Sequence, residues 1–314
     1  MLAIGVDIGG TKIAAGVVDT DGSILAQTRR DTDATDAHSV DLGVVDVCRE
    51  LMADHEVGAI GLAAPGFVSA DRATVSFTPN LPWRDHDLRG AVATALRTDV
   101  PIVVENDANA AGWAEFQFGV ARDVDDMVTL TLGTGLGGAI VSGGILLRGR
   151  WGVAAEIGHM RVVPDGHYCG CGQMGCWEQY VSGSALVRDA QAVAQTRPDR
   201  AARIIELAGG KWRKISGHHV TSAAEEGDEL AVELLATIGR WVGEGAASVA
   251  ALLDPELFVV GGGLSAAGEL VMAPARAAFS AHLSAGGHHP EARFAVASMG
   301  NDAGIVGAGD LARR

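Results

Sequence analysis

Three cysteines stand close together near the middle of the chain, at a spacing typical of a metal site. Cys169, Cys171 and Cys176 are three of the four cysteines, and glycines are interspersed between them. Because glycine lacks a Cβ atom, this segment can turn tightly enough to direct three thiolates at one centre. A tetrahedral zinc site needs a fourth ligand, which His159 or His167 could supply.

A disulfide and free thiols are the alternatives to zinc. Cys169 and Cys171 are too close in sequence to bridge comfortably, and a chain without a recognisable secretory signal is expected in a reducing compartment. We therefore favour a structural zinc ion. A closed site of this kind would leave no open coordination position, and its role would be to hold neighbouring polar groups in fixed positions. The fourth cysteine, Cys48, lies in a helical pattern and is predicted to be a core residue.

A second type of candidate site is a glycine-rich turn between two apolar runs. It occurs at residues 7–12, D-I-G-G-T-K, and again at 133–138, G-T-G-L-G-G. Backbone N–H groups and a threonine hydroxyl can approach phosphate at such turns, and Asp7 could organise hydrated Mg²⁺. The spacing at 133–138 also resembles a dinucleotide fingerprint, but a strand pattern follows it where that motif requires a helix. The repeat predicts two related lobes that hold phosphates between them.

Asp107 lies between a buried-strand pattern at 100–104 and a helical pattern at 111–118. An aspartate at such a junction is most often a helix N-cap, and the fragment alone favours that interpretation. A catalytic role stays open, because ligands of open α/β sheets lie beyond the carboxyl ends of strands. A further glycine turn at 261–263 leads into a helical pattern from Leu264 to Leu283, which favours binding of a nucleotide's base or phosphate.

Strand and helix patterns alternate along the chain and predict an α/β protein. We place a boundary near residue 110. Residues 1–110 would form a small α/β lobe, and residues 111–299 a large α/β lobe with the zinc site. The last helix, within 300–314, would pack back onto the small lobe.

Composition excludes several classes of protein. The chain has 314 residues, 48% of them apolar, and a formal net charge of -15. Such a charge argues against nucleic acid as a partner, because phosphate binding needs a basic surface. No run of about 18 apolar residues is present, which argues against a membrane partner. The start of the chain carries no charged leader, so we expect a cytoplasmic protein.

The motifs together resemble those of the ROK family of sugar kinases and repressors. They are D-I-G-G-T-K at 7–12, E-N-D-A-N-A at 105–110, L-G-T-G-L-G-G at 132–138, E-I-G-H at 156–159, C-x-C-G-x-x-G-C-x-E at 169–178 and V-V-G-G-G at 259–263. The resemblance spans essentially the whole chain in the right order. It implies the actin-like ATPase fold of the hexokinase type, with two α/β lobes around a cleft, and a homo-oligomer, either a dimer or a tetramer.

The resemblance also implies a role for each site residue. Asp107 is similar to the catalytic base, which accepts the proton of the sugar's 6-hydroxyl. The implied hexose ligands are Gly66, Asn80, Asn106, Asp107, Glu156, His159 and Glu178. ATP and Mg²⁺ are expected at Asp7, Gly9, Gly10, Thr11, Lys12, Gly133, Thr134, Gly135, Gly137, Gly262 and Gly263. The implied ligands of the structural Zn²⁺ are His159, Cys169, Cys171 and Cys176.

We therefore predict an ATP-dependent glucokinase of cytoplasmic carbohydrate metabolism, acting in glycolysis. A kinase for N-acetylmannosamine, fructose or allose is an alternative, and the bulk of Trp177 beside Glu178 argues against an N-acetylated sugar. A sugar-sensing repressor of the same family is disfavoured, because Asp7 leaves no room for a preceding helix-turn-helix segment. Polyphosphate stays open as a donor in place of ATP.

Overall fold

The chain folds into β-sheets with helices packed on them, in a computed structural model that describes residues 1–78 and 81–314. The strands are β1 (Ala3–Ile8), β2 (Lys12–Val18), β3 (Ile24–Asp31), β4 (Ala59–Ala64), β5 (Phe67–Val68), β6 (Thr74–Phe77), β7 (Arg84–Asp87), β8 (Ile102–Asn106), β9 (Met127–Leu132), β10 (Leu136–Ser142), β11 (Ile145–Leu146), β12 (Leu257–Gly261) and β13 (Arg293–Val296). The α-helices are α1 (Ala37–Asp54), α2 (Leu88–Leu96), α3 (Asp107–Gln117), α4 (Glu178–Val181), α5 (Gly183–Thr196), α6 (Ala202–Leu207), α7 (Gly217–Glu225), α8 (Glu229–Leu253), α9 (Glu269–His282) and α10 (Ala303–Ala312).

The first sheet has the strand order β3-β2-β1-β4-β8. β1 pairs antiparallel with β2 and parallel with β4, which in turn runs parallel to β8. Helix α10 lies against this sheet at very short range. A Cβ atom on Gly5 would fall 1.8 Å from the Ile305 carbonyl oxygen, and one on Gly61 would fall 1.9 Å from that of Ala308. Glycine at these two positions therefore allows the terminal helix to pack on the sheet.

Helix α1 supplies much of the other apolar layer around this sheet. Asp36 caps it by accepting a hydrogen bond of 2.9 Å from the Ser39 backbone N–H. Its buried side chains include Val40, Val44 and Cys48, which join one hydrophobic cluster with the strands. The prediction that Cys48 is a core residue is confirmed.

The second sheet has the order β11-β10-β9-β12-β13, and β12 runs parallel to both β9 and β13. Helices α8 and α9 pack closely at two glycines. A Cβ atom on Gly239 would lie 2.3 Å from the Val271 carbonyl oxygen, and one on Gly243 would lie 2.2 Å from that of Ala275. A small third sheet has the order β5-β6-β7.

The chain divides into two compact units. The first comprises residues 1–125, 139–155 and 298–314, and the second comprises residues 126–138 and 156–297. Residue 110, where the sequence suggests a lobe boundary, lies inside α3. Among the described residues, we find no helix with the length and apolar character that a membrane crossing requires.

The helix predicted over residues 264–283 is interrupted. Residues Gly263–Ala267 form a 3₁₀ turn, and α9 begins only at Glu269. Gly268 lies between them with φ of 57°, a left-handed conformation that breaks the helix. The prediction that the glycine turn leads directly into an α-helix is therefore wrong.

Candidate active site and metal centre

Asp107 is the first residue of α3, directly after β8. Asn106, not Asp107, is the N-cap, because its Oδ1 accepts a hydrogen bond of 2.9 Å from the Asn109 backbone N–H. The interpretation of Asp107 as an N-cap is therefore wrong. Its own Oδ1 accepts from the Ala108 N–H at 2.8 Å.

Two aspartates of the first unit, Asp107 and Asp7, have raised pKa values. Burial raises the pKa of Asp107 to about 6, and the nearby negative charge of Asp7 adds to the effect. Burial also raises the pKa of Asp7, while the charge of Lys12 opposes that rise. A carboxylate with a pKa close to neutrality is well suited to accept a proton during catalysis.

Gly66 and Asn106, both predicted sugar ligands, lie in contact. The Asn106 side-chain amide donates a hydrogen bond of 3.0 Å to the Gly66 carbonyl oxygen. Gly66 has φ of 95°, and a Cβ atom there would lie 2.2 Å from the Phe77 carbonyl oxygen, so the position requires glycine. The predicted ligand Asn80 lies outside the described residues.

The first glycine turn is a tight hairpin at the ends of β1 and β2. The Gly9 N–H donates to the Lys12 carbonyl oxygen at 2.9 Å, and the Thr32 hydroxyl donates to the Gly9 carbonyl oxygen at 2.8 Å. Thr11 and Lys12 are exposed and Gly10 is partly exposed. The turn therefore presents polar groups to solvent beside Asp7.

The predicted metal ligands meet in the second unit. One ligand atom from each of His159, Cys169, Cys171 and Cys176 lies within 4.8 Å of every other. The Cys171 and Cys176 sulfur atoms are 3.6 Å apart, and the Cys169 sulfur is 3.7 Å from His159 Nδ1. A tetrahedral ion with bonds of about 2.3 Å to sulfur would separate two sulfur atoms by about 3.8 Å, so the cluster fits zinc.

The same geometry addresses the alternatives that the sequence left open. All four cysteines are free, and a distance of 3.6 Å between sulfur atoms is far longer than a disulfide bond. His159 belongs to the cluster, whereas His167 is not among the four residues that form it. The described residues therefore assemble the ligand set implied by the family resemblance.

Three predicted sugar ligands, Glu156, His159 and Glu178, lie in or beside this cluster. His159 directs Nδ1 at Cys169, and its Nε2 lies 4.0 Å from a Glu156 carboxylate oxygen. Glu178 Oε1 accepts a hydrogen bond of 2.9 Å from the Cys169 thiol. A Cβ atom on Gly135 would lie 2.5 Å from Glu178 Oε2, so Glu178 also borders the second glycine turn. Glu156, His159 and Glu178 are thus tied to one small scaffold within the second unit.

The side chain of Trp177 is buried against α8. It is fully buried, its indole N–H donates to the Trp241 carbonyl oxygen at 2.8 Å, and its ring packs against Gly245 of α8. The bulk of Trp177 therefore fills a space against α8. Its bulk therefore gives no reason to disfavour an N-acetylated sugar.

A pocket of about 1020 Å³ opens beside the second glycine turn, within the second unit. Three predicted nucleotide ligands line it, namely Gly133, Thr134 and Gly263. The start of α5 fixes the turn, because the Gly183 N–H donates to the Gly133 carbonyl oxygen and the Ser184 hydroxyl donates to that of Thr134, both at 2.8 Å.

Three other glycines predicted to contact the nucleotide do not line this pocket. Gly135, Gly137 and Gly262 do not appear in the pocket lining, and their contacts with nucleotide stay predictions. Gly262 has φ of 83°, and a Cβ atom there would lie 2.5 Å from the Leu132 carbonyl oxygen, so this glycine is needed for close packing.

Sequence reasoning missed most of the pocket wall. It is formed largely by side chains of α5, α7 and the segment between them, including Arg188, Gln191, Trp212, His218 and Thr221. These residues have no motif spacing. A tryptophan within the polar run G-G-K-W-R-K at 209–214 was the one available signal, since a loop tryptophan often contacts a ligand.

Comparisons with known proteins identify the family of this chain. The sequence profile of the ROK family matches residues 3–314. The glucokinase of Streptomyces coelicolor is 48% identical over 312 residues, covering 99% of this chain and 98% of that protein. The N-acetylmannosamine kinase of Escherichia coli is 34% identical over 327 residues, covering 100% of this chain and 99% of that protein.

The crystal structure of a ROK family glucokinase from Streptomyces griseus, in complex with glucose and AMPPNP, is also similar. It aligns with a TM-score of 0.89 at 49% identity, covering 100% of this chain and 99% of that chain. The predicted fold class, α/β of the actin-like ATPase type, is thereby confirmed. The profile match over nearly the full length, together with relatives of this similarity, establishes that the chain belongs to the ROK family.

Proposed function

We propose that this protein is an ATP-dependent glucokinase that transfers the γ-phosphoryl group of ATP to the 6-hydroxyl of glucose. The observation that carries the proposal is the Asp107 carboxylate. It directly follows β8, which pairs parallel with β4 at the edge of the first sheet, and burial with the Asp7 charge raises its pKa to about 6. Full-length similarity to glucokinases, including one with glucose and AMPPNP bound, supports the choice of substrates.

The chemistry requires a proton acceptor and fixed reactants. In phosphoryl transfer the protein contributes mainly positioning and neutralisation of charge. The sugar oxygen forms a bond to the γ-phosphorus, the bond between that phosphorus and the β,γ-bridging oxygen breaks, and Asp107 accepts the hydroxyl proton. A base in this position contributes a factor of about 10²–10⁴ to the rate.

Hexose recognition is proposed for the residues that the family resemblance implies. They are Gly66, Asn80, Asn106, Asp107, Glu156, His159 and Glu178. Unmodified glucose suits this set, because amides, carboxylates and an imidazole offer both donors and acceptors to its hydroxyls. The contacts of His159 Nδ1 with Cys169 leave Nε2 directed at Glu156, which supports a role in both metal binding and sugar binding.

The metal of the cysteine cluster is proposed to be a structural zinc ion. His159, Cys169, Cys171 and Cys176 would hold it, and no position would remain for a reactant. The cluster would thereby fix the orientation of the His159 ring and of the segment that ends at Glu178.

The nucleotide is proposed to occupy the pocket beside Gly133, Thr134 and Gly263. The family resemblance also implies phosphate contacts from the glycine turns at Gly9–Lys12 and Gly133–Gly138. A volume of about 1020 Å³ is ample for a nucleoside triphosphate. Asp7 would hold Mg²⁺ through water, and Mg²⁺, when bound, neutralises charge on the phosphates.

The proposal is tested by kinetics over a panel of sugars. The purified protein would be assayed with Mg-ATP over glucose, mannose, fructose, N-acetylglucosamine and N-acetylmannosamine, with polyphosphate as a second donor. We expect the highest kcat/KM for glucose with ATP. A higher value for N-acetylmannosamine, which the Escherichia coli relative makes the leading alternative, would overturn the choice of glucose but not the kinase proposal.

We also propose a cytoplasmic homo-oligomer, either a dimer or a tetramer. Light scattering coupled to size-exclusion chromatography would decide this, and a monomeric mass at working concentration would contradict it.

A further inference from the structure

Glu105, next to the proposed active-site residues, is a buried carboxylate whose two oxygens are both engaged. Its side chain is only 4% exposed. Oε1 accepts hydrogen bonds from the Asn106 backbone N–H at 3.2 Å and from the Asn109 side-chain amide at 3.1 Å. Oε2 accepts one from Arg148 Nε at 2.7 Å. One oxygen therefore contacts the start of α3, and the other contacts the segment after β11.

A second arginine, Arg72, joins the same carboxylate. Its Nε lies 3.6 Å from Glu105 Oε2, which is within ion-pair range but too long for a hydrogen bond. Its Nη2 donates to the Leu311 carbonyl oxygen at 3.0 Å, and its own carbonyl oxygen accepts from the Val104 N–H, also at 3.0 Å. Arg72 adopts φ of 55°, a conformation that glycine or asparagine would adopt with less strain. The contacts of the arginine side chain with Glu105 and Leu311 offset this strain.

The start of α3 is held through Glu105 at several points. The Asn106 backbone N–H donates to Glu105 Oε1. The Asn106 side chain accepts from the Asn109 N–H and donates to the Gly66 carbonyl oxygen. Asn109 is itself buried and donates its side-chain amide to Glu105. Asp107 lies between these two residues. The backbone on both sides of Asp107 is therefore held by hydrogen bonds that lead to Glu105.

We propose that Glu105 is a positioning residue for phosphoryl transfer, which holds Asp107 in its working orientation and ties the first turn of α3 to Arg148. The inference rests on the proposed role of Asp107 as the base. Glu105 itself touches neither the sugar nor the nucleotide in this proposal.

A purely structural ion pair would behave differently from a positioning residue. Loss of a structural pair lowers thermal stability but leaves kcat of the folded protein unchanged. Loss of a positioning residue lowers kcat while glucose still binds, because a displacement of about 1 Å at a catalytic group can cost about 10²-fold in rate. The two roles are separated by comparing kcat with KM in fully folded samples.

The experiment compares Glu105→Ala and Glu105→Gln with Glu50→Ala and Glu50→Gln. Glu50 is a matched control, since it pairs with Arg30 in the same unit but is exposed. Each variant would be assayed well below its own melting temperature, with glucose affinity measured separately by calorimetry. Asp107→Asn in the same series reports on the base itself.

For Glu105→Ala we expect kcat to fall about 10²-fold, with glucose affinity within about threefold of wild type. Glu105→Gln should fall less, because its amide oxygen can still accept from Asn109 while the ion pair with Arg148 is lost. Both Glu50 variants should keep wild-type kcat. Wild-type kcat in folded Glu105→Ala, with Asp107→Asn inactive, would overturn the positioning role alone. Absence of sugar kinase activity in the wild type would overturn both this inference and the proposed function.

Discussion

Replacing Asp107 by asparagine should lower turnover by several orders of magnitude and, at the same time, stabilise the protein at neutral pH. The amide keeps the shape of the side chain, and its oxygen can still accept from the Ala108 N–H as the carboxylate does at 2.8 Å. It cannot accept the sugar's proton. We expect kcat to fall about 10²–10⁴-fold, with glucose binding retained.

The stability change follows from the pKa of Asp107. The pKa is raised from 3.8 to about 6, first by burial and then by Asp7. A raised pKa means that the folded state binds the proton more tightly, so ionisation costs stability as pH rises through 6. The cost approaches about 3 kcal/mol at pH 8 and is about 1 kcal/mol at pH 4.5.

Thermal melts of wild type and Asp107→Asn at pH 8 and pH 4.5 test this reasoning. The variant should melt higher than wild type at pH 8, by roughly 2–4 °C per kcal/mol for a protein of this size, and the difference should shrink at pH 4.5. Equal melting temperatures at pH 8 would refute the stated cost of ionising Asp107. A variant that keeps more than about a tenth of wild-type kcat would refute its role as the base.

Three further predictions concern pH, metal and nucleotide. On the acid side, kcat/KM should fall as pH drops through about 6, and Asp7→Asn should shift this inflection to lower pH because its charge helps to raise the pKa of Asp107; an unmoved inflection would contradict that coupling. Elemental analysis should find a stoichiometric zinc ion that Cys171→Ser loses together with glucose affinity, whereas Cys48→Ala, away from the cluster, keeps both; full glucose affinity in zinc-free protein would exclude the scaffold role. Gly133→Ala should leave the melting temperature unchanged, because its Cβ atom would meet no protein atom within 4 Å, yet raise KM for ATP several-fold without raising KM for glucose; an unchanged KM for ATP would exclude nucleotide from this side of the pocket.

Much of the fold was predictable because the local patterns are strong. The hairpin around Asp7 and the helix that carries Cys48 have clear strand and helix periods, and the motifs occur in the order of the family. The break before α9 was not predictable from apolar periodicity. It depends on the left-handed conformation of Gly268, which a helical pattern with one glycine does not reveal.

The candidate site was predictable where its residues share a motif. The metal ligands lie within eighteen residues of one another, so their spacing carried the information. The pair of Glu105 and Arg148 is separated by 43 positions, and only the fold brings it together. Trp177 was misjudged for the same reason, since its partner Trp241 lies 64 positions away. The position of a side chain in a motif did not indicate which neighbour it faces.

Identification of the reaction product tests the central claim most directly. Wild-type protein would be incubated with Mg-ATP and glucose, and the products would be identified by ³¹P NMR and mass spectrometry, with Asp107→Asn as the matched control. The account predicts stoichiometric ADP and glucose phosphorylated at the 6-hydroxyl, formed by the wild type at least about 10² times faster than by the variant. Hydrolysis of ATP without a sugar phosphate, or phosphate on a different hydroxyl, would contradict it.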